Sequence, residues 1–141
     1  MNKFESIYNK LDKLGILAIR AESAKSKSGG FMDLNFDRLG TRDMNSYSYD
    51  IALAHNYIQN GDVMADPDME IRIYPAGKLA EALSFQMSNP PIYQVVYPSP
   101  GKVYPKLKRE LNSFLNQWLS NCIQQGHKFE PVTQVTEQAA A

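Results

Sequence analysis

Four carboxylates crowd one short segment of the chain, at Asp62, Asp66, Asp68 and Glu70. Oxygen ligands at alternating positions are what calcium-binding loops supply. However, Ile71 stands where such a loop needs glycine, and no bidentate glutamate follows at the required distance. Asp62 follows Gly61, and Asp66 precedes Pro67, which are positions that turns favour. The segment therefore favours a pair of turns over a metal site.

The two histidines and the one cysteine are the other residues that could do chemistry. His55 falls on the apolar face of a predicted strand, where Asp50 or Asp62 would be its orienting partner if it were a general base. His127 lies just beyond a predicted helix, whose negative end it favours. Cys122 and the histidines cannot complete a zinc site without carboxylates. Because nucleotide-binding and hydrolase motifs are absent as well, we predict no enzyme, no cofactor and no metal.

A basic cluster surrounds the start of the last helix and consists of Lys102, Lys106, Lys108 and Arg109, with Tyr104 among them. Cations and exposed aromatic rings at a helix N-terminus can bind phosphates and stack on bases. However, the 15 basic and 15 acidic side chains of the chain cancel, whereas nucleic-acid-binding modules usually carry a basic excess. Nucleic-acid binding is therefore the alternative, and a solvated helix start is favoured.

Tyrosine is abundant, with eight in the chain, and the residues that we predict to bind a protein partner are Tyr47, Tyr49, Tyr57 and Tyr74. They fall on predicted strands, and some must lie on the open sheet face if the helices cover the other. Tyrosine is large, stiff and amphipathic, which suits recognition surfaces. Cross-strand pairing that merely stabilises the sheet is an equally good interpretation, and the two do not exclude each other.

The segment 102–126 is predicted to form a strongly patterned amphipathic helix. This helix would position the basic cluster, Cys122 and His127. Its apolar stripe recurs at spacings of three and four and consists of Leu107, Leu111, Phe114, Leu115, Trp118, Leu119, Cys122 and Ile123. Asn112 falls on the predicted polar face. Pro105 suits the first turn, and Gly126 suits a left-handed cap. A second helix over 2–14 is predicted to begin at Asn2 or Ser6 and to stop at Gly15.

Alternation with a period of two predicts strands from Phe31, over 47–57, over 69–73, over 79–87 and over 92–97. Asn60–Gly61 and residues 66–68 are turn signals, and 21–30 is a predicted mobile loop. We expect an α+β fold, in which about five strands form an antiparallel meander and the N-terminal and C-terminal helices pack on one face. Residues 1–130 form one domain in this prediction, and 131–141 form a disordered tail.

Two stretches carry a family resemblance. HNYIQNGDVMADPDMEIRI (55–73) is similar to a segment of small uncharacterised proteins of plasmids, phages and integrated elements. The stretch 97–127, with its Tyr-Pro-x-Pro turn and the helix pattern L-x-x-F-L-x-x-W-L-x-x-C, resembles the C-terminal part of the YqiB-like bacterial family of unknown function. The resemblance implies a small soluble protein carried by a mobile element, and it brings no catalytic residue onto this chain.

These observations predict a non-enzymatic protein-binding protein, phage- or mobile-element-encoded, that acts on a host defence or replication component. The open sheet face is its expected binding surface, and a homodimer would use the same face. The single cysteine and the lack of a signal peptide or an apolar span predict a cytoplasmic protein that does not bind membranes.

Overall fold

In the part of the chain that the structure describes, six antiparallel strands form one open sheet, whose order follows the chain from first to last. They are β1 (Ser23–Ser26), β2 (Leu34–Gly40), β3 (Tyr49–Gln59), β4 (Asp62–Tyr74), β5 (Leu79–Ser88) and β6 (Pro91–Val95). The structure is a computed structural model that describes residues 1–40 and 48–130. Tyr47 and the predicted tail over 131–141 lie outside the described residues. The α+β class and the antiparallel meander are confirmed.

The sheet has one strand more than predicted, because β1 lies within the predicted mobile loop over 21–30. The residues of β1 are mostly polar and show no alternation of apolar and polar side chains. All four of them nevertheless pair with β2. Ser26 is buried, and its hydroxyl accepts a hydrogen bond from the Lys128 amide at 2.9 Å. It also bonds Nδ1 of His127 at 3.0 Å. Contacts with the far end of the chain therefore order this strand, and no local pattern encodes them.

The predicted turn at residues 66–68 is also wrong, since β4 runs through it without interruption. Ala54 pairs with Asp68 and Asn56 pairs with Ala65, so two residues of β4 lie opposite the single residue 55 of β3. This is a β-bulge, and it absorbs the proline that a regular inner strand would not accept. The Asn60–Gly61 turn is confirmed, and both residues have the positive φ that a tight hairpin requires.

Two α-helices, α1 (Lys3–Lys13) and α2 (Pro105–Gln124), pack on one face of the sheet, with a short 3-10 helix (Ile16–Ala18) after α1. Asn2 caps α1 through a reciprocal capping box with Glu5, as its position predicts. Pro105 opens α2, and Gly126 follows it with φ of +89°. No helix within residues 1–40 and 48–130 is long and apolar enough to cross a membrane.

The core lies between this sheet face and the helices. Its central side chains are fully buried, among them Ile51, Leu53, Met69, Ile71, Ile73, Leu115, Leu119 and Cys122. Asn112 was predicted on the polar face of α2, but only 1% of it is exposed. Its Oδ1 accepts a hydrogen bond from the Ala82 amide at 2.8 Å, beside a register shift between β4 and β5. The asparagine thus satisfies an amide at the point where the ladder is irregular.

The two ends of the described chain meet beside the core. The Phe129 amide donates to the Leu14 carbonyl at 2.8 Å, and the Phe129 ring packs edge-on against Phe36. Gly15 has φ of +83°, and a Cβ on it would lie 2.2 Å from the Phe129 carbonyl oxygen. Glycine is therefore required here for both its conformation and its lack of a side chain.

Candidate functional site

The sheet face that points away from the helices carries a shallow acidic trough. Its floor is formed by the small residues Ala52 and Ala54 of β3. Cross-strand pairing places Asp37 and Glu70 on either side of Ala52. It places Asp68 beside Ala54 in the same way. Three carboxylates from two strands therefore surround a strip of sheet with almost no side chains, and we call this surface the acidic trough.

Electrostatics confirms that these carboxylates are neighbours. Burial raises the pKa of Asp68, and the nearby charges of Glu70 and Asp37 raise it further. Burial also raises the pKa of Asp37. Among the described residues, none of the three has an ion-pair partner. The trough is thus a site of negative charge that no described residue compensates through an ion pair.

A charged pair lies on the same face, where Arg72 of β4 meets Asp50 of β3. Two guanidinium nitrogens reach the two carboxylate oxygens at 2.8 and 3.1 Å. The Asp50 side chain is only 2% exposed, so this bidentate pair is largely removed from water. Hydrogen bonding to Asp50 raises the pKa of Arg72. Arg72 is therefore committed to Asp50 and does not neutralise the trough.

A groove of about 620 Å³ adjoins the trough, between β1, β2 and the hairpin that joins β3 to β4. Asp37 lines it, which makes the two features continuous. On the hairpin, Ile58 and Val63 pair across the strands and are 67% and 68% exposed. Tyr57 lines the same groove. The groove therefore combines an apolar rim with an acidic end.

The predicted tyrosines are not gathered on one surface. Tyr49 packs against the core on the helix-covered side, with the Arg38 guanidinium 5.4 Å from its ring centre. The Tyr74 hydroxyl donates to Glu81 at 2.6 Å, and burial, followed by that hydrogen bond, raises its pKa to about 12. Of the three predicted partner-binding tyrosines that the structure describes, only Tyr57 lines the groove. Their role in protein binding stays a prediction.

The predicted basic cluster divides into bound and free side chains. Lys108 lies 3.8 Å from Glu81 and sits over the rings of Phe4 and Tyr97, so it is a structural cation. Lys106 makes an exposed pair with Glu110 at 3.9 Å. The remaining members of the cluster, Lys102, Tyr104 and Arg109, are exposed. Nucleic-acid binding by this cluster stays a prediction that rests on these exposed groups.

The histidines and the cysteine come together in the core. His55 Nδ1 lies 3.0 Å from the Asp33 carbonyl oxygen, which can only accept, so this nitrogen carries the proton. His55 Nε2 is then the acceptor for the Cys122 thiol, 3.7 Å away. Burial raises the pKa of Cys122 to about 12, which keeps it a protonated thiol rather than a nucleophile. The His127 ring lies 5.7 Å from that of His55.

The two carboxylates considered as orienting partners for His55 are not brought to it. Asp50 lies on the opposite face of β3, in the pair with Arg72, and Asp62 lies in the hairpin. Within residues 1–40 and 48–130, no three potential metal ligands are grouped closely enough to hold an ion. The acidic segment instead contributes Asp68 and Glu70 to the trough.

Sequence reasoning missed the trough because its members come from strands that are distant in the chain. Asp37 alternates with apolar residues in β2, and Glu70 does so in β4, so their outward orientation was readable. Their proximity depends on the register of both with Ala52, which no local pattern specifies. The only local signal was the small side chains of Ala52 and Ala54, which alternate with Ile51 and Leu53 in β3.

Comparisons with known proteins place the chain by family alone. The family DUF6908, described as a domain of unknown function, matches residues 2–128. The comparison with curated proteins and the comparison with solved structures returned no match. Since the matched span covers α1, the whole sheet and α2, the chain belongs to the DUF6908 family of domains of unknown function.

Proposed function

We propose that this protein is a non-enzymatic interaction protein that binds a cationic surface of a partner protein through the acidic trough and the adjoining groove. The observation that carries the proposal is the cluster of Asp37, Asp68 and Glu70, which has no ion-pair partner among the described residues. A lysine or arginine entering the trough would relieve the repulsion between these carboxylates. The alanine floor leaves room for such a side chain.

The groove supports the proposal because it supplies the apolar part that a protein interface needs. Protein interfaces have an apolar centre within a polar rim, and charged groups set their specificity and association rate. Ile58 and Val63 present exposed aliphatic side chains in the same groove that Asp37 lines. Such a surface suits a partner segment in which basic and apolar residues are close together.

The proposal also covers the genetic origin of the protein and its location in the cell. The resemblance to plasmid and phage proteins supports a mobile-element protein that acts on a host defence or replication component in the cytoplasm. The YqiB-like resemblance of the segment 97–127 belongs to the same proposal. The genomic neighbourhood of DUF6908 genes tests it, because integrase, replication or anti-defence genes should recur beside them. A neighbourhood of housekeeping genes would contradict it.

The binding surface is tested by capture and reconstitution. Proteins retained from a host lysate by the native protein are identified, purified and titrated against two variants by calorimetry. The triple variant Asp37→Asn, Asp68→Asn, Glu70→Gln should weaken binding by at least about tenfold, because it removes the charge of the trough without changing its shape. A matched variant, Asp12→Asn with Glu110→Gln, neutralises exposed carboxylates on the two helices and should bind like the native protein.

If the triple variant bound the partner with the same affinity as the native protein, the acidic trough would not be the binding surface. Two further variants separate the remaining surfaces. Ile58→Thr with Val63→Thr tests the groove, and Tyr49→Ala tests the predicted tyrosine surface. If only Tyr49→Ala weakened binding, the recognition surface would lie on the helix-covered side. The solution mass of the native protein tests the homodimer alternative, since a mass of two chains would show that a second copy occupies part of the surface.

A second candidate function is nucleic-acid binding, and the exposed side chains of Lys102, Tyr104 and Arg109 favour it. Affinity for single- or double-stranded DNA should then fall steeply with salt, because each phosphate contact releases a counterion. The variant Lys102→Gln, Lys106→Gln, Arg109→Gln should abolish gel retardation, whereas Lys13→Gln should not. No retardation of the native protein at low salt removes this candidate.

A further inference from the structure

A hollow of about 260 Å³ lies beside the short 3-10 helix, on the helix-covered side of the sheet. Its polar lining consists of two arginines and two tyrosines, which are Arg20, Arg38, Tyr8 and Tyr49. The rest of the lining is apolar, and no carboxylate is part of it. The hollow shares no residue with the acidic trough or with the groove beside it, so a ligand here would be independent of the proposed partner surface.

Arg38 is held in this hollow by both its backbone and its side chain. Its amide donates to the Glu22 carbonyl at 2.8 Å, and one guanidinium nitrogen donates to the Ile19 carbonyl at 2.7 Å. The guanidinium carbon lies 5.4 Å from the ring centre of Tyr49 and 5.8 Å from that of Phe36. A guanidinium carries five N–H donors, and the contact with Ile19 uses one of them. Arg38 is therefore a pre-positioned cation with donors to spare.

The positive charge of the hollow is not balanced by an ion pair. Neither Arg20 nor Arg38 forms one with a described residue. Burial raises the pKa of Tyr49, whereas the charges of Arg38 and Arg20 act in the opposite direction, so both guanidinium groups lie close enough to act on one hydroxyl. Arg20 is exposed and can move its guanidinium toward a bound ion. Two neighbouring cations without a negative partner favour a dianion.

The two tyrosines add neutral donors that a ligand can reach. Tyr8 and Tyr49 are half-buried, and their hydroxyls have no hydrogen-bond partner among the described residues. Neither hydroxyl oxygen is fully buried, so both stay open to solvent and to a ligand. Hydrogen bonds from such donors to an ionised acceptor are about twice as strong as those between neutral groups.

The volume and the charge of the hollow decide which anion fits. About 260 Å³ is less than most sites for whole drug-sized ligands, so the hollow accepts one group of a molecule or a small ion. A carboxylate or a phosphodiester carries a single charge and would leave one arginine uncompensated. A phosphomonoester carries about two charges at neutral pH and has three terminal oxygens that accept hydrogen bonds.

We propose that this hollow binds a dianionic phosphate group, carried by a small phosphomonoester or present as free phosphate. The guanidinium groups of Arg20 and Arg38 neutralise its charge, and the hydroxyls of Tyr8 and Tyr49 donate to its oxygens. The apolar lining, which includes Leu17 and Pro75, is available to the organic part of an ester. Binding involves no covalent step.

The test compares three anions by calorimetry on the native full-length protein. Phenyl phosphate, phenyl sulfate and inorganic phosphate are each titrated to about 10 mM, since weak sites have millimolar dissociation constants. A salt concentration of about 0.15 M screens non-specific attraction. Phenyl sulfate has the same shape as phenyl phosphate and one charge fewer, so we expect it to bind at least about tenfold more weakly. Weaker binding of inorganic phosphate assigns the hollow to an ester, and equal or tighter binding assigns it to the free ion.

Three variants decide whether binding occurs in the hollow, and the amide spectrum of each establishes that it is folded. Arg20→Gln removes one cation at an exposed position and should weaken phenyl phosphate binding by about tenfold or more. Tyr49→Phe removes one donor and should weaken it by about threefold or more. Lys27→Gln removes the same charge as Arg20→Gln at an exposed position outside the lining and should bind like the native protein.

The inference is overturned if neither phosphate compound binds, or if phenyl sulfate binds as tightly as phenyl phosphate. It is also overturned if Arg20→Gln and Lys27→Gln bind phenyl phosphate alike. None of these results would bear on the acidic trough, because its triple variant changes no residue of this hollow.

Discussion

The pair formed by Asp50 and Arg72 is the strongest ionic contact of the described open face. Both carboxylate oxygens are used, and Asp50 is almost fully buried. A buried carboxylate deprived of a charge partner is costly, because desolvation of the charge is no longer offset. This contact therefore stabilises β3 against β4 beside the acidic trough.

Replacing Arg72 tests the contribution of this pair. Arg72→Met should lower the free energy of unfolding by about 1–3 kcal/mol, because it removes two charge-assisted hydrogen bonds to a buried carboxylate. Urea denaturation monitored by Trp118 fluorescence measures it. The exposed pair of Lys106 and Glu110 provides the control, since Lys106→Met should change stability by less than about 0.5 kcal/mol. Equal effects of the two substitutions would show that Arg72 is not engaged in this way.

His127 gives the protein a defined pH dependence. Burial lowers its pKa, and the neighbouring His55 lowers it further, while Asp33 and backbone carbonyls act in the opposite direction. The unfolded chain, with an ordinary pKa of about 6.5, then binds a proton more readily than the folded chain. Stability is therefore complete above about pH 6.5 and falls as the pH drops toward the lowered value.

Comparison of wild type with His127→Gln isolates this contribution. The free energy of unfolding of the wild type should decrease between about pH 7.5 and 5.5, and that of the variant should decrease less. Urea titrations at both pH values measure the difference. The raised pKa values of Asp37 and Asp68 act in the opposite sense, but both groups are common to the wild type and the variant, so their contribution cancels in the comparison. Identical slopes for the two proteins would contradict the assignment to His127.

At the scale of elements, the sequence predicts what local periodicity encodes and misses what distant contacts decide. The alternation in β3 and β5 and the stripe of α2 predicted those elements within a few residues. β1 was not predicted, because its order depends on hydrogen bonds between Ser26 and the segment after α2. Phe114 belongs to the apolar stripe, yet 41% of it is exposed, although its ring packs edge-on against Phe85 of β5 at 5.2 Å. Asn112 is buried instead, because its side chain accepts a hydrogen bond from the Ala82 amide of β5.

Ser26 is the residue through which β1 can be tested as an element. Ser26→Ala leaves the Lys128 amide and His127 Nδ1 without their shared partner, which should cost about 1–3 kcal/mol. Hydrogen exchange should accelerate at Lys128 and along β1. Ser23→Ala changes an exposed serine of the same strand and should leave exchange unchanged. If both variants exchanged alike, β1 would be held by its backbone ladder alone.

At the scale of the whole molecule, the contact between Gly15 and Phe129 joins the two ends of the described chain. It places α1, the sheet and the segment after α2 in one cooperative unit. The sequence predicted Gly15 only as a helix stop, because the approach of Phe129 comes from a residue more than a hundred positions away. Contacts of this kind join residues that are distant in the sequence. Local patterns therefore predicted the fold class but not the close approach of Phe129 to Gly15.

A matched pair of glycine substitutions measures this closure. Gly15 and Gly101 both have positive φ, but a Cβ at Gly101 would meet nothing within 4 Å. Gly101→Ala should therefore cost only the left-handed penalty of about 1–2 kcal/mol. Gly15→Ala adds a clash with backbone and should cost at least about 3 kcal/mol. Thermal unfolding measures both, and equal losses would mean that the Phe129 segment yields without cost.

The meander has a consequence for biosynthesis, since every strand leaves the ribosome before α2 does. A nascent chain that has reached β6 has only α1 to cover the apolar face, so the part of that face on which α2 packs, including Ala82 and Phe85, would be exposed. Exposed apolar sheet surface favours aggregation. We therefore expect chains that end before α2 to aggregate more readily than chains in which α2 and Phe129 can pack against α1 and the sheet.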